Sequence, residues 1–209
     1  MRLILVRHGE THWNQQMRVQ GGDMDIELNE TGIAQAQRVA SHLAGEPLTA
    51  VLSSPLQRAR VTAEAIASHH ALPIEVDQRL LELRLGTLDG LSIPSLNTTF
   101  SQFLAQRWQT EAASDRPDGE TFVQLQERTW EVVEELLRRH RPAETNTAHI
   151  VQSTVVLVSH FFVTLAIIFR ALDLPADCFP KFRVDLAGVS VLEFGDSITR
   201  LVGFNDTSY

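Results

Sequence analysis

The chain has 209 residues, of which 44% are apolar and 21% charged, enough for one ordinary globular core. Its net charge of −8 and pI near 5.4 argue against nucleic acid or an anionic membrane as partners held by bulk electrostatics. The single Cys178 excludes an intrachain disulfide framework and leaves no Cys-based metal site, and no targeting segment is recognisable after Met1, so a reducing, cytoplasmic setting is expected.

Leu3 to Val6 is an apolar run that reads as a buried strand, with Arg7 and His8 at its C-terminal end and Gly9 allowing a sharp turn. Residues 15 to 30 are polar and read as a loop over that end. Ile33, Ala36, Val39, Ala40 and Leu43 recur at helical spacing, and Gly45 with Pro47 stops the helix. Thr49 to Ser53 reads as a strand, and Ser54-Pro55 as the N-cap and first-turn pair of an Ala-rich helix reaching about His69. Ile74 to Val76 is a third strand.

From Ser92 to Gly119 the chain is polar, with a helix expected around Phe100 to Trp108, and about 92–119 is expected to form a cap. Phe122, Leu125, Thr129, Val132, Val133 and Leu136 make an amphipathic helix stripe; residues 141 to 153 read as an exposed connection. Val155 to Phe169 is the most apolar run, yet Ser159 and His160 interrupt it and it falls short of the ~20 residues of a membrane span, so it reads as a strand, Val155 to Val158, and a helix, Phe162 to Ala171. Val189 to Phe194 and Thr199 to Phe204 form a hairpin around Gly195-Asp196. Strands alternating with helices predict an α/β fold: a three-layer α/β/α sandwich with a mostly parallel central sheet, as a single domain over 1–209.

Four motifs carry chemistry: Arg7-His8-Gly9-Glu10-Thr11; Ser53-Ser54-Pro55-Leu56-Gln57-Arg58-Ala59; Leu80-Leu81-Glu82 followed by Gly86 and Gly90; and Leu157-Val158-Ser159-His160. Their order and spread over most of the chain resemble the histidine phosphatase superfamily, also called phosphoglycerate mutase-like, on its phosphatase branch. The resemblance implies a phosphomonoesterase acting on a small-molecule phosphate ester, with no metal and no cofactor, and with homodimers common in the family. It makes His8 the nucleophile that forms a phosphohistidine, Arg7 and Arg58 phosphate ligands, and Glu82 the acid that protonates the leaving oxygen and then activates water.

By themselves the residues fit these assignments and leave plainer roles open: structural histidines at strand ends, arginines pointing to solvent, a surface glutamate. His8 and His160 each follow a buried strand, so parallel neighbouring strands would bring both to one sheet edge. A donor there stabilises the charge that grows on nonbridging oxygens, the role given to His160. Arg58 in a helix's first turn opposes the helix dipole unless an anion is bound there. Leu81, Leu83 and Leu85 suit a desolvated Glu82 carboxyl, although Asp89 competes for the acid's role. Asn14, Gln20 and Gly21 lie in the loop after the nucleophile, where amides offer phosphate contacts without adding charge; they equally suit local turn bonds. Glu10 either orients the site or caps the turn, and Arg60 either joins Arg58 or points to solvent. His8 and His12 fall on a loop, so their spacing is not that of a metal site.

One departure stands out: Phe161 follows His160 where the family usually has glycine, which alters an oxyanion contact or narrows the pocket. Two other functions compete. A cofactor-dependent phosphoglycerate mutase would need groups to clamp phosphoglycerate, yet residues 91 to 119 contain neither Tyr nor Lys and only Arg107 and Arg116. A noncatalytic phosphate-binding regulator of the same fold would be expected to have lost some of the five polar site residues.

Overall fold

The computed structural model describes residues 1–95, 119–140 and 153–209. Strand β1 (Arg2–Arg7) lies inside a six-stranded sheet ordered β3-β2-β4-β1-β5-β6. Here β2 is Leu48–Ser53, β3 Ile74–Val76, β4 Thr154–Ser159, β5 Val189–Phe194 and β6 Thr199–Asp206. The first four in that order run parallel; β5 and β6 join antiparallel as the expected hairpin. The sheet is thus mostly parallel, with a mixed edge.

Both faces are covered, which is why β1 and β4 read as unbroken apolar runs. Leu3, Leu5 and Leu157 pack against α4 (Phe122–Arg139) and α5 (Phe161–Ala171). Ile4, Val6, Val156 and Val158 face the other way, against α2 (Glu30–Leu43) and α3 (Gln57–Ser68). The three-layer α/β/α arrangement follows directly from this alternation. Among the described residues no helix is long and apolar enough to cross a membrane.

The caps explain most helix starts. Asn29 Oδ1 accepts from Gly32 N at 2.8 Å to open α2, and Thr121 with Gln124 forms a capping box for α4. α3 departs from expectation: it begins at Gln57, two residues after Pro55, and Ser54 is not its cap. Asp25 reaches across instead, its Oδ1 accepting from Gln57 N at 2.8 Å, so the loop after His8 supplies the missing acceptor.

A second correction concerns His12, which opens a one-turn helix α1 (His12–Gln15) where a loop was expected. Thr11 caps that turn, and His8 lies outside it, so helical metal-ligand spacing still does not apply. A third concerns Gly9. Its φ is not positive; a Cβ there would stand 2.4 Å from Gly32 O, so close approach of two backbones, not a sharp turn, demands glycine. Ile93–Ser95 is a short 3-10 turn, whereas the rest of the expected cap (96–118, with Arg107, Trp108 and Arg116) and connection 141–152 lie outside the described residues.

Candidate active site

The parallel pairing of β1 with β4 sets Arg7 opposite Ser159, so the next residue of each strand, His8 and His160, emerges at the same carboxyl edge. His8 N donates to Ser159 O at 3.0 Å, and the two imidazole rings stand 5.1 Å apart between centroids at 61°. Both side chains are buried, and burial together with the Arg58 and Arg7 charges holds each imidazole well below its ordinary pKa, hence neutral.

Hydrogen-bond partners assign the tautomers. His8 Nδ1 is 2.7 Å from Gly9 O; a carbonyl only accepts, so Nδ1 carries the proton and Nε2 keeps its lone pair. His160 Nε2 is 2.8 Å from Ser54 Oγ, which also accepts weakly from Leu56 N at 3.4 Å. Among the described residues the buried Ser54 hydroxyl has no other acceptor for its hydrogen, so that hydrogen goes to His160 Nε2, and Nδ1 becomes the protonated nitrogen. That Nδ1 is buried with no protein partner, so a neutral imidazole presents a donor to the site.

Arg7 donates from Nη1 to Val184 O at 2.6 Å, while its Nε is buried and unpartnered. Arg58 is fully buried and acts as the hub of the loop after His8: Nη1 donates to Met24 O at 2.6 Å and Nη2 to Gly21 O at 3.2 Å. With the Gln20 amide turned so that its nitrogen donates to Thr11 Oγ1 at 2.7 Å, its oxygen accepts from Arg58 Nε at 2.8 Å and Nη1 at 3.0 Å. Desolvation pulls both guanidinium groups down to about 10, still cationic at neutral pH.

Glu82 is buried, its Oε1 accepting from Leu83 N at 2.8 Å and Oε2 from Phe162 N at 3.3 Å. Desolvation raises its pKa, and the two backbone donors with Arg58 and Arg7 oppose that rise without cancelling it. Arg7, Gln20, Glu82, Asn14 and Phe161 share one cavity of about 260 Å³.

The remaining sequence candidates separate. Asn14 lines the cavity, yet its Oδ1 closes the Thr11 cap, accepting from Thr11 N at 3.1 Å and Oγ1 at 3.0 Å. Gln20 and Gly21 hold Arg58 in place, and a Cβ on Gly21 would stand 2.6 Å from Asp89 Oδ1. Asp89 accepts from Gly21 N at 2.6 Å, which makes it a brace for this loop. Glu10 bonds Asn29 Nδ2 at 2.8 Å and so ties down the start of α2. Arg60 is exposed beside Glu64 at 3.6 Å, away from the Arg58 cluster. Phe161 lines the pocket, its ring beneath Arg7, whose guanidinium carbon is 5.5 Å from the ring centroid.

Two residues escaped the sequence reading. Ser54 was assigned to a helix cap, although an adjacent Ser53-Ser54 pair at a strand end signals an available hydroxyl. Arg128 donates from Nη1 to Arg79 O at 2.5 Å and from Nη2 to Glu82 O at 3.2 Å, with Glu120 Oε1 at 2.5 Å from its Nε. It fixes the backbone that carries Glu82, and no local pattern on α4 marks it. Among the described residues no group of three or more His, Cys, Asp or Glu side chains is placed to hold a metal.

Two neutral imidazoles, a buried and a half-buried cation and a desolvated carboxyl at the carboxyl edge of an α/β sheet define the class: a phosphoryl-handling site. The chain belongs to the histidine phosphatase superfamily (branch 1), whose family model matches residues 3–207. It is 32% identical over 197 residues to a protein named "Probable phosphoglycerate mutase GpmB" from Yersinia pestis (strain Pestoides F), covering 94% of this chain and 86% of that one. The mycobacterial glucosyl-3-phosphoglycerate phosphatase, solved with VO3, superposes with TM-score 0.84 at 30% identity over 99% of both chains. A phosphoserine phosphatase variant from Entamoeba histolytica, solved with phosphoserine, gives 0.83 at 27% identity, covering 99% of this chain and 98% of that one.

Proposed function

We propose that this chain is a metal-independent phosphomonoesterase that hydrolyses a small phosphate ester through a phosphohistidine on His8. The observation that carries this reading is the 2.7 Å contact of His8 Nδ1 with Gly9 O, which leaves a neutral Nε2 lone pair as nucleophile beside Arg7, Arg58 and His160. Nε2 attacks phosphorus; the bond to the alcohol oxygen breaks, and the proton of Glu82 goes to that oxygen. Glu82, now a carboxylate, takes a proton from water as the water oxygen attacks phosphorus. The P–N bond then breaks, returning neutral His8, a protonated Glu82 and free phosphate. Arg7 Nε and His160 Nδ1, both without protein partners, supply donors for nonbridging oxygens.

The phosphatase neighbours support hydrolysis, and the lone Cys178 agrees with a reducing, cytoplasmic setting. The experiment is a rapid acid-free quench with a generic aryl phosphate in the presence of a chelator: acid-labile, base-stable phosphate is expected on His8, and His8→Ala is expected to abolish turnover. Full activity of His8→Ala, or dependence on added metal, overturns the reading. The mutase reading has one observation in its favour, the name of the Yersinia relative; incubation with a phosphoglycerate is expected to give free phosphate, and accumulation of the isomer without phosphate would favour mutase chemistry.

A further inference from the structure

The proposed catalytic groups account for only part of the cavity's lining. Among the described residues its lining joins the polar Arg7, Gln20, Glu82 and Asn14 to the apolar Phe161, Phe162, Phe179, Leu85 and Ile93, with Arg18 as the other charged group. Phe161 stands first in α5, immediately after His160, and half-buried. Its ring is under the Arg7 guanidinium at 5.5 Å and meets Phe162 edge-on at 4.9 Å. A ring so placed abuts whatever alcohol is esterified to a phosphate held by Arg7. Among the described residues, glycerol or a sugar against this wall would give up water at its hydroxyls with few acceptors in return; a flat apolar group loses nothing and gains an edge or face contact with the ring.

Resting on the phosphomonoesterase reading, we infer that Phe161 is a specificity-determining residue that makes the site select phosphate monoesters of flat, apolar alcohols over those of polyols. The ring acts in binding the alcohol and not in phosphoryl chemistry, so its effect falls on KM.

The test compares benzyl phosphate with glycerol 1-phosphate, both of which leave as primary alkoxides and so demand similar help from Glu82. The wild-type chain is expected to favour benzyl phosphate in kcat/KM by about tenfold or more. Phe161→Gly should bring that ratio to within about threefold, mainly by raising KM for benzyl phosphate, and Phe161→Leu, which keeps apolar bulk but not the flat face, should lower it by about threefold. Thermal unfolding reports whether each variant folds, and the leucine variant carries the test if the glycine variant does not. A wild-type ratio near one, or a ratio that neither variant changes, overturns the inference. If neither ester releases phosphate, the enzymatic reading falls by itself; calorimetric Kd values for the same two esters then give the ratio, with the same outcomes for and against.

Discussion

Ser54 Oγ and His160 Nε2 stand 2.8 Å apart, and through this bond a serine at the end of one strand fixes the protonated nitrogen of the histidine ending its neighbour. Since burial keeps His160 neutral, only the tautomer set by Ser54 lets it donate to a phosphoryl oxygen. Ser54→Ala is expected to lower kcat by about 10- to 100-fold, the range for losing or misdirecting one oxyanion donor. KM should stay within about twofold, because Arg7 and Arg58 still bind the ground-state phosphate. Steady-state kinetics on one ester checks this; an equal rise in KM would mean that Ser54 only supports the fold.

The pKa directions predict a bell-shaped profile. His8 is lowered well below 6.5, so loss of the neutral nucleophile, the acid limb of kcat/KM, should lie below that value. Glu82 is raised above 4.5, so the alkaline limb, loss of the donated proton, should lie above it. Glu82→Gln should remove the alkaline limb and keep the acid one. Stability follows with its own sign: the unfolded histidines take up protons near 6.5 while the folded ones resist, so their contribution is complete above about 6.5 and is lost as pH falls below it. Glu82 acts oppositely, costing stability as pH rises through its raised pKa, so Glu82→Gln should melt higher than the wild type at pH 8 and alike at pH 4. Thermal scans of both proteins across pH measure this difference.

The core and the strands are legible where the sequence pattern and the physics coincide. Leu3 to Val6 and Val155 to Val158 are continuous apolar runs because both sheet faces are covered, and the histidines that end them meet because the two strands pair in parallel. What stayed hidden depends on contacts between distant segments. Ser54-Pro55 carries the local signature of a helix start, yet Asp25 took the cap and His160 took the hydroxyl. Gly9 has no local reason to be glycine until Gly32 lies against it. Gln20 lines the cavity where a phosphate contact is expected, but its hold on Arg58 has no local sequence signal.

Asp89 and Glu82 both have raised pKa values from burial, so titration does not distinguish acid from brace, but geometry does. Asp89 Oδ1 accepts from Gly21 N at 2.6 Å, whereas Glu82 lines the cavity. Asp89→Asn keeps an acceptor for Gly21 and is expected to hold kcat/KM within about threefold on alkyl and aryl phosphates alike. Glu82→Gln should lose far more on alkyl phosphates, by about 100-fold, than on aryl phosphates whose leaving group needs less protonation. If Asp89→Asn shows the alkyl-selective loss, the two roles are reversed.

Arg58 is both a phosphate ligand in the proposed mechanism and the residue on which the loop from Gln20 to Met24 is hung, and these roles predict separable effects. Its guanidinium serves Gln20, Gly21 and Met24 in three directions, a fork that a single ammonium cannot reproduce. Arg58→Ala would leave buried carbonyls without donors, and is expected to cost about 2–4 kcal/mol in denaturant unfolding. Arg58→Lys should keep a cation but abandon part of the loop, giving a smaller loss of stability. If phosphate binding needs only charge, the lysine variant will retain the wild-type inhibition constant for inorganic phosphate. If it needs the fork and the loop it organises, as the geometry indicates, inhibition will weaken by about tenfold or more in both variants. Unfolding curves and phosphate inhibition measured on the same preparations separate the two.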